Sequence, residues 1–165
     1  MSEPVLRPAD QDDAEAIAGI WERGWHDGHD GHVPAELSAV RTPETFRSRT
    51  ADRLTQTSVA EVAGRVAGFV VVHGDELEQV YVDGAHRGSG VAQALMAEGL
   101  RLVAEAGHEH AWLVAATGNA RARRFYEREG WFDEGLVDYP AEGPDGPIVV
   151  TDHRYTKATR PLGDR

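Results

Sequence analysis

The chain of 165 residues has no cysteine, which excludes disulfides, thiolate metal sites and any cysteine nucleophile or acyl-cysteine intermediate. It has a single lysine, Lys157, beside 16 arginines, a bias that reflects base composition and carries no mechanism. Long hydrophobic runs are missing too. Stretches such as Gly68 to Val72 fall far below the roughly 20 apolar residues of a membrane span. The opening Met-Ser-Glu-Pro lacks the basic and apolar regions of a secretion signal, so a cytoplasmic protein without membrane contact is expected. Basic charge is scarce: 28 Asp and Glu against 17 Lys and Arg give a net charge of −11. Neutralising phosphates needs a basic surface, so nucleic acid is not expected as a partner.

What is present is ordinary for a globular chain, with 41% hydrophobic and 27% charged residues. The length suits one domain over 1–165 with a real core, and neither an internal repeat nor a linker interrupts it. Val5-Leu6-Arg7 reads as a short strand. Asp10 or Asp12 can cap a helix to about Trp25, where Ala14, Ile17, Ala18, Ile20 and Trp21 recur at helical spacing. The segment Trp25 to Pro34, rich in His, Gly and Asp, is expected to be irregular. A second helix is predicted from about Pro43 to Leu54, capped by Thr42.

Three β-rich runs follow, Thr57 to Ala63, Val66 to His73 and Glu76 to Asp83, divided by turns at Gly64-Arg65 and Gly74-Asp75. Val91 to Ala106 has the broad apolar face of a helix buried on a sheet, and Ala111 to Ala116 reads as a buried strand. Asn119 can cap a helix over Ala120 to Glu129. Trp131 to Tyr139 and Ile148 to Tyr155 read as a final antiparallel pair, with a tail expected to fray from Thr156 or about Lys157 onward. This order implies an α/β fold on a mixed sheet with one parallel step.

That parallel step passes through Arg87-Gly88-Ser89-Gly90-Val91-Ala92, a glycine loop between a strand and a helix N-terminus. Glycines let the backbone turn sharply and approach a ligand, and the free N–H groups of the first helical turn attract an anion. The spacing is not the Gly-x-Gly-x-x-Gly of a dinucleotide loop, and no βαβ unit leads into it.

The loop resembles the Arg/Gln-x-x-Gly-x-Gly/Ala signature of the GNAT acyl-CoA N-acyltransferases. A second segment, Asn119-Ala120-Arg121-Ala122-Arg123-Arg124-Phe125-Tyr126 through Gly130-Trp131, is similar to that family's Asn-x-x-Ala-x-x-Phe-Tyr pattern. The resemblance runs from Val5 to Tyr155. It implies a central, mostly antiparallel sheet of six to seven strands flanked by about four helices. It also implies an acetyltransferase that moves acetyl from acetyl-CoA to a primary amine by direct attack in a ternary complex. Dimers are frequent in the family, so a homodimer is an open expectation.

Carried over residue by residue, the resemblance assigns the pyrophosphate of coenzyme A to the amides of Gly88, Ser89, Gly90, Val91 and Ala92, with Arg87 adding charge. The backbone of Val80, Tyr81 and Val82 would pair with the pantetheine arm like an added strand. Asn119 is a helix cap that can also touch the cofactor. Tyr126 is the general acid for the leaving thiolate, although a plain core tyrosine would fit the same helical face. For the base, Glu76 ranks first, Glu78 second and a water third.

The acceptor side falls on Trp25 to Pro34, with Trp25, His26, Asp27 and His29 as candidates. His26, His29 and His32 recur every third residue beside two aspartates, but Gly28 and Gly31 weigh against a rigid helical metal site, so no metal is expected. Arg47, Arg49 and Arg53 read as a solvated face rather than as partners of an acidic substrate. The acceptor stays open among amino acids, polyamines, aminoglycosides and protein N-termini or lysines. A module that senses acyl-CoA without turnover is the alternative.

Overall fold

The computed structural model describes residues 3–160. Strand β1 (Val5–Pro8) is followed by a 3-10 turn and by helices α1 (Ala14–His29), α2 (Ala35–Val40) and α3 (Pro43–Arg53). A meander comes next: β2 (Thr57–Val62), β3 (Arg65–His73) and β4 (Glu76–Val82). Helix α4 (Val91–Glu105), strand β5 (His110–Ala116), helix α5 (Ala120–Arg128) and strands β6 (Phe132–Ala141) and β7 (Ile148–Ala158) complete the order. The strands form one seven-stranded sheet, β1-β2-β3-β4-β5-β7-β6, antiparallel except at the β4–β5 step. This is the mixed α/β sheet the sequence implies. No described helix is long and apolar enough to cross a membrane.

Period-two alternation along the strands creates two cores. Ala60 and Val70 pack with Val91, Leu95 and Val103 of α4 on one face. Val59, Phe69 and Val71 pack with Ile17 and Trp21 of α1 and Phe46 of α3 on the other. Local chemistry sets the helix starts. Asp10 accepts the Asp12 amide at 2.9 Å ahead of α1. Thr42 and Thr45 form a reciprocal box around Pro43 at the start of α3, and Asn119 accepts the Ala122 amide at 3.3 Å to start α5. Helix α4 begins differently, at Gly90 in the left-handed region (φ 86°) with no side-chain cap.

Three sequence expectations need correction. Helix α1 does not stop near Trp25 but runs to His29, so Trp25 to His29 are helical rather than irregular. Gly28 is tolerated there because a Cβ would lie 2.6 Å from Asn119 Nδ2; the glycine is the clearance for that approach. The six-residue helix α2 carries too short a periodicity to be read. The expected fray from about Lys157 is wrong, because Lys157 and Ala158 pair with Ala111 and His110 and finish the β5–β7 ladder. The last five residues of that expected tail, 161–165, lie outside the described residues.

Strand β4 carries a bulge. Gln79 pairs with Val71 and Leu77 with Val72, which leaves Glu78 as the extra residue. Just beyond, Gly68 of β3 lies beneath β4 and α4, where a Cβ would come within 2.7 Å of the Tyr81 carbonyl oxygen and 2.9 Å of Leu95 Cδ1. Gly68→Ala should therefore lower stability by about 1–3 kcal/mol through overpacking. The readout is a lower urea midpoint with an unchanged slope; an unchanged midpoint would contradict the tight contact.

Candidate active site

Strands β4 and β5 share one register pair, Glu76 with Trp112, and the Trp112 amide donates to the Asp75 carbonyl at 3.1 Å. Past that point the strands diverge. A cavity of about 630 Å³ opens between Leu77–Val82 on one wall and Leu113–Ala116 on the other. Helix α1 crosses it closely. At Gly24, a Cβ would meet the Tyr81 ring at 2.5 Å.

At one end lies the glycine loop. Gly88 and Gly90 both take positive φ, 76° and 86°, which favours glycine. Gly88, Gly90, Ala92 and Arg87 line the cavity. The first amides of α4 carry no side-chain cap, and they join the positive end of a helix dipole. Ser89 is exposed and turns its hydroxyl back to donate to the His86 carbonyl. Val91 buries its side chain in the core. Arg87 and Arg121 both reach Asp27 Oδ2, each at 3.0 Å, and their hydrogen bonds hold the Asp27 carboxyl below its usual range. Asp27, read as an acceptor residue, thus sits with the glycine loop.

Val80, Tyr81 and Val82 line the cavity while pairing with Val70, Phe69 and Gly68 on their other side. Their edge toward β5 has no strand partner among the described residues. Asn119 caps α5 and also faces the cavity.

Tyr126 of α5 lines the cavity and stacks edge-on near Phe125 and Trp131. Burial pushes its phenol up to about 12, so the group is protonated at neutral pH. Glu76 is buried off the cavity wall and accepts the Tyr139 hydroxyl at 2.8 Å; burial raises its carboxyl. Glu78 lines the cavity and binds Arg53 Nε at 2.5 Å. A third carboxyl, Asp152 of β7, also lines the cavity and is 6% exposed, and it makes no side-chain hydrogen bond among the described residues. Burial raises it to about 6. Sequence reading missed Asp152. The available signal was a charged residue in phase with Ile148 and Val150 on an alternating strand.

Trp25 and His29 line the cavity, stacked with ring centroids 4.5 Å apart. His29 Nδ1 lies 2.8 Å from the Trp25 carbonyl, and burial lowers the ring to about 4, so it is neutral at pH 7. His26 lies off the cavity wall between Asp30 and the Arg41 carbonyl. Burial opposes its charge, but those two partners outweigh it and hold the ring above its ordinary value.

The reading of Arg49 and Arg53 as solvated is wrong. Arg49 is 8% exposed and Arg53 is largely buried, and both line the cavity, because α3 turns that face toward α1 and the sheet rather than to water. Arg47 is exposed, as expected.

Residues 16–131 match the profile of the acetyltransferase (GNAT) family. The chain is 34% identical over 104 residues to uncharacterized N-acetyltransferases of Mycobacterium tuberculosis and Mycobacterium bovis. These alignments cover 60% of this chain and 64% of each relative, so the chain spans less than two thirds of the relatives' length. Among solved structures, the GCN5-related N-acetyltransferase of Rhodopseudomonas palustris superposes with a TM-score of 0.74 at 22% identity, covering 96% of this chain and 97% of that one. The yncA protein of Salmonella typhimurium, solved with its cofactor acetyl-CoA, gives a TM-score of 0.67 at 17% identity, covering 99% and 98%. At these identities the superpositions establish the shared fold. Because the profile takes in the diverging strands, the glycine loop and helix α5 together, the chain belongs to the acetyltransferase (GNAT) family.

Proposed function

We propose that this protein transfers acetyl from acetyl-CoA to the primary amine of a small molecule, by direct attack within a ternary complex. The observation that carries the reading is one continuous cavity, opened by the divergence of β4 and β5, that joins the glycine loop to Tyr126 and Asp152. Acetyl-CoA supplies an activated thioester. The amides of Gly88 to Ala92 and the guanidinium groups of Arg87 and Arg121 suit its phosphates. Those arginines already converge on a carboxylate, Asp27, as they would on an anionic oxygen. The unpartnered edge of Val80 to Val82 offers backbone groups to an extended amide-bearing arm.

Tyr126 serves as the acid: it lines the cavity, and its buried phenol is protonated and so able to donate to the leaving thiolate. The incoming amine must lose a proton. Glu76, the first expectation, does not line the cavity and is bonded to the hydroxyl of Tyr139, which does, and Glu78 is engaged by Arg53. Among the described residues Asp152 has neither restraint and is therefore our proton acceptor, directly or through water; of the two expected carboxylates, Glu78 lines the cavity and Glu76 does not. With no cysteine in the chain, direct transfer is the simpler route.

The test is coenzyme A release, followed with a thiol reagent across a panel of amines. The protein itself adds no thiol background. Tight acetyl-CoA binding with no release for any amine would overturn the transferase reading in favour of a sensor. Tyr126→Phe should lower kcat by about 100- to 10,000-fold with little change in the KM for acetyl-CoA. An undiminished kcat would remove Tyr126 from the chemistry.

Asp152 acts as a base only when ionised, so kcat/KM should rise through about pH 6 and level off above it. In Asp152→Asn that limb should vanish along with most of the activity. Stability runs the other way. A raised folded-state pKa means that the folded protein binds this proton more tightly than the unfolded chain. As pH rises from the ordinary carboxylate range to about 6, the unfolded chain releases this proton while the folded protein holds it, so stability falls, on the order of 2–3 kcal/mol in all, and levels off above that. Asp152→Asn should melt higher than the parent protein well above pH 6. A variant of unchanged activity and pH profile would refute the assignment.

A further inference from the structure

Arg41, Arg49 and Arg53 all line the cavity, and Arg53 is bonded to Glu78 in the half of β4 away from the glycine loop. Arg41 is 5% exposed and Arg49 is 8% exposed. Aromatic faces rather than water surround them: Arg41 lies 5.6 Å over Trp25, and Arg49 lies 4.4 Å over Trp21. The carboxylates bonded to this cluster number fewer than its cations. Glu142 accepts from Arg49 Nε at 2.8 Å and from Arg53 Nη2 at 3.1 Å, and Glu78 accepts from Arg53. Arg41 makes no side-chain ion pair among the described residues. Arg41 Nε and Arg49 Nη1 are both buried with no hydrogen-bond partner among the described residues.

A guanidinium cannot shed its charge near neutral pH, and even with burial and its arginine neighbours lowering it to about 10, Arg41 stays protonated. Removing such a cation from water without an anion is strongly unfavourable, and Arg41 lines the cavity with no carboxylate bonded to it among the described residues. Tyr81 ties these arginines to the chemistry. It lines the cavity, and Arg41, Arg49, Tyr126 and Asp152 all lie within electrostatic reach of its hydroxyl.

Building on the transferase reading, we infer that the acceptor carries an anionic group beside its amine, a carboxylate in the simplest case, and that Arg41 and Arg49 hold it. The amine then points toward Asp152 and Tyr126. An amino-acid-like zwitterion satisfies both ends. Polyamines and aminoglycosides, which bring only positive charge, meet repulsion at the arginine end. The anionic subsite thus lies within a protein whose net charge is −11, and the selection is local rather than global.

The experiment compares matched pairs, the L-amino acids and their primary amides, with polyamines and an aminoglycoside alongside. Coenzyme A release and calorimetric binding are measured on the intact protein. The carboxylate member should exceed its amide by 100-fold or more in kcat/KM and in affinity. Arg41→Gln should raise the KM for the carboxylate member by a similar factor, with little effect on the amide or on the KM for acetyl-CoA. Should Arg41→Gln melt too low to assay, the pairs measured on the parent protein decide. Amides or polyamines equal to or better than the carboxylates would overturn the inference while leaving the transferase reading intact. Carboxylate binding that is lost in Arg41→Gln without any coenzyme A release would support the subsite and overturn the transferase reading instead.

Discussion

The pairing of β4 with β5 ends after Glu76 and Trp112, and the rest of the site depends on that early ending. A parallel neighbour would ordinarily take up the N–H and C=O groups that Leu77 to Val82 turn toward it. Here the inner edge of β4 is left free in the middle of a sheet, where an exposed edge would otherwise invite wrong pairing. The bulge at Glu78 contributes, because an inserted residue bends and twists the strand away from its neighbour. The opening is roofed by α1, whose Gly24 and Gly28 allow Tyr81 and Asn119 to approach the helix backbone. The free edge is therefore enclosed on the protein's own terms.

Charge is distributed along this cleft in a definite order. The glycine loop end has Arg87 and Arg121 sharing Asp27, all exposed, so their ion pairs are weak and exchangeable. The middle is aromatic and holds Tyr126 and Tyr81. The far end holds buried arginines with too few carboxylates. Buried cations that lack partners are tolerated only where function needs them or where the fold compensates, and the Trp21, Trp25 and Phe46 faces give partial compensation. Asp152, raised by the same burial, is the acidic counterpart in this dry region. The separation of a buried acid from a buried cation cluster gives the cavity a dipolar character that a zwitterion matches.

Much of the glycine-loop end of the cavity was legible in the chain because its signals are local. Glycines beside a strand end, the Asn119 cap and the Phe125-Tyr126 face are fixed by a few consecutive residues, and they appear where the spacing puts them. The arginine-lined part was not legible. Whether Arg49 and Arg53 meet water or a cavity depends on how α3 docks against α1, which no window within α3 records. The choice among Glu76, Glu78 and Asp152 likewise turns on Tyr139 and Arg53, partners contributed from distant segments. The end of α1 was misjudged because Gly28, read as a breaker, is there for the approach of Asn119.

The sequence by itself determined the order of elements apart from the short helix α2, the mixed sheet, the glycine loop and the phenol on α5, since alternation, capping and backbone freedom act over short distances. Only the tertiary structure decided that Asp27 pairs with Arg87 of the loop, and that, among the described residues, Asp152 makes no side-chain hydrogen bond in the cavity and the buried Arg41 has no carboxylate partner. Those outcomes depend on desolvation and charge pairing between residues far apart in the chain, and such energies exist only once the fold has brought them together.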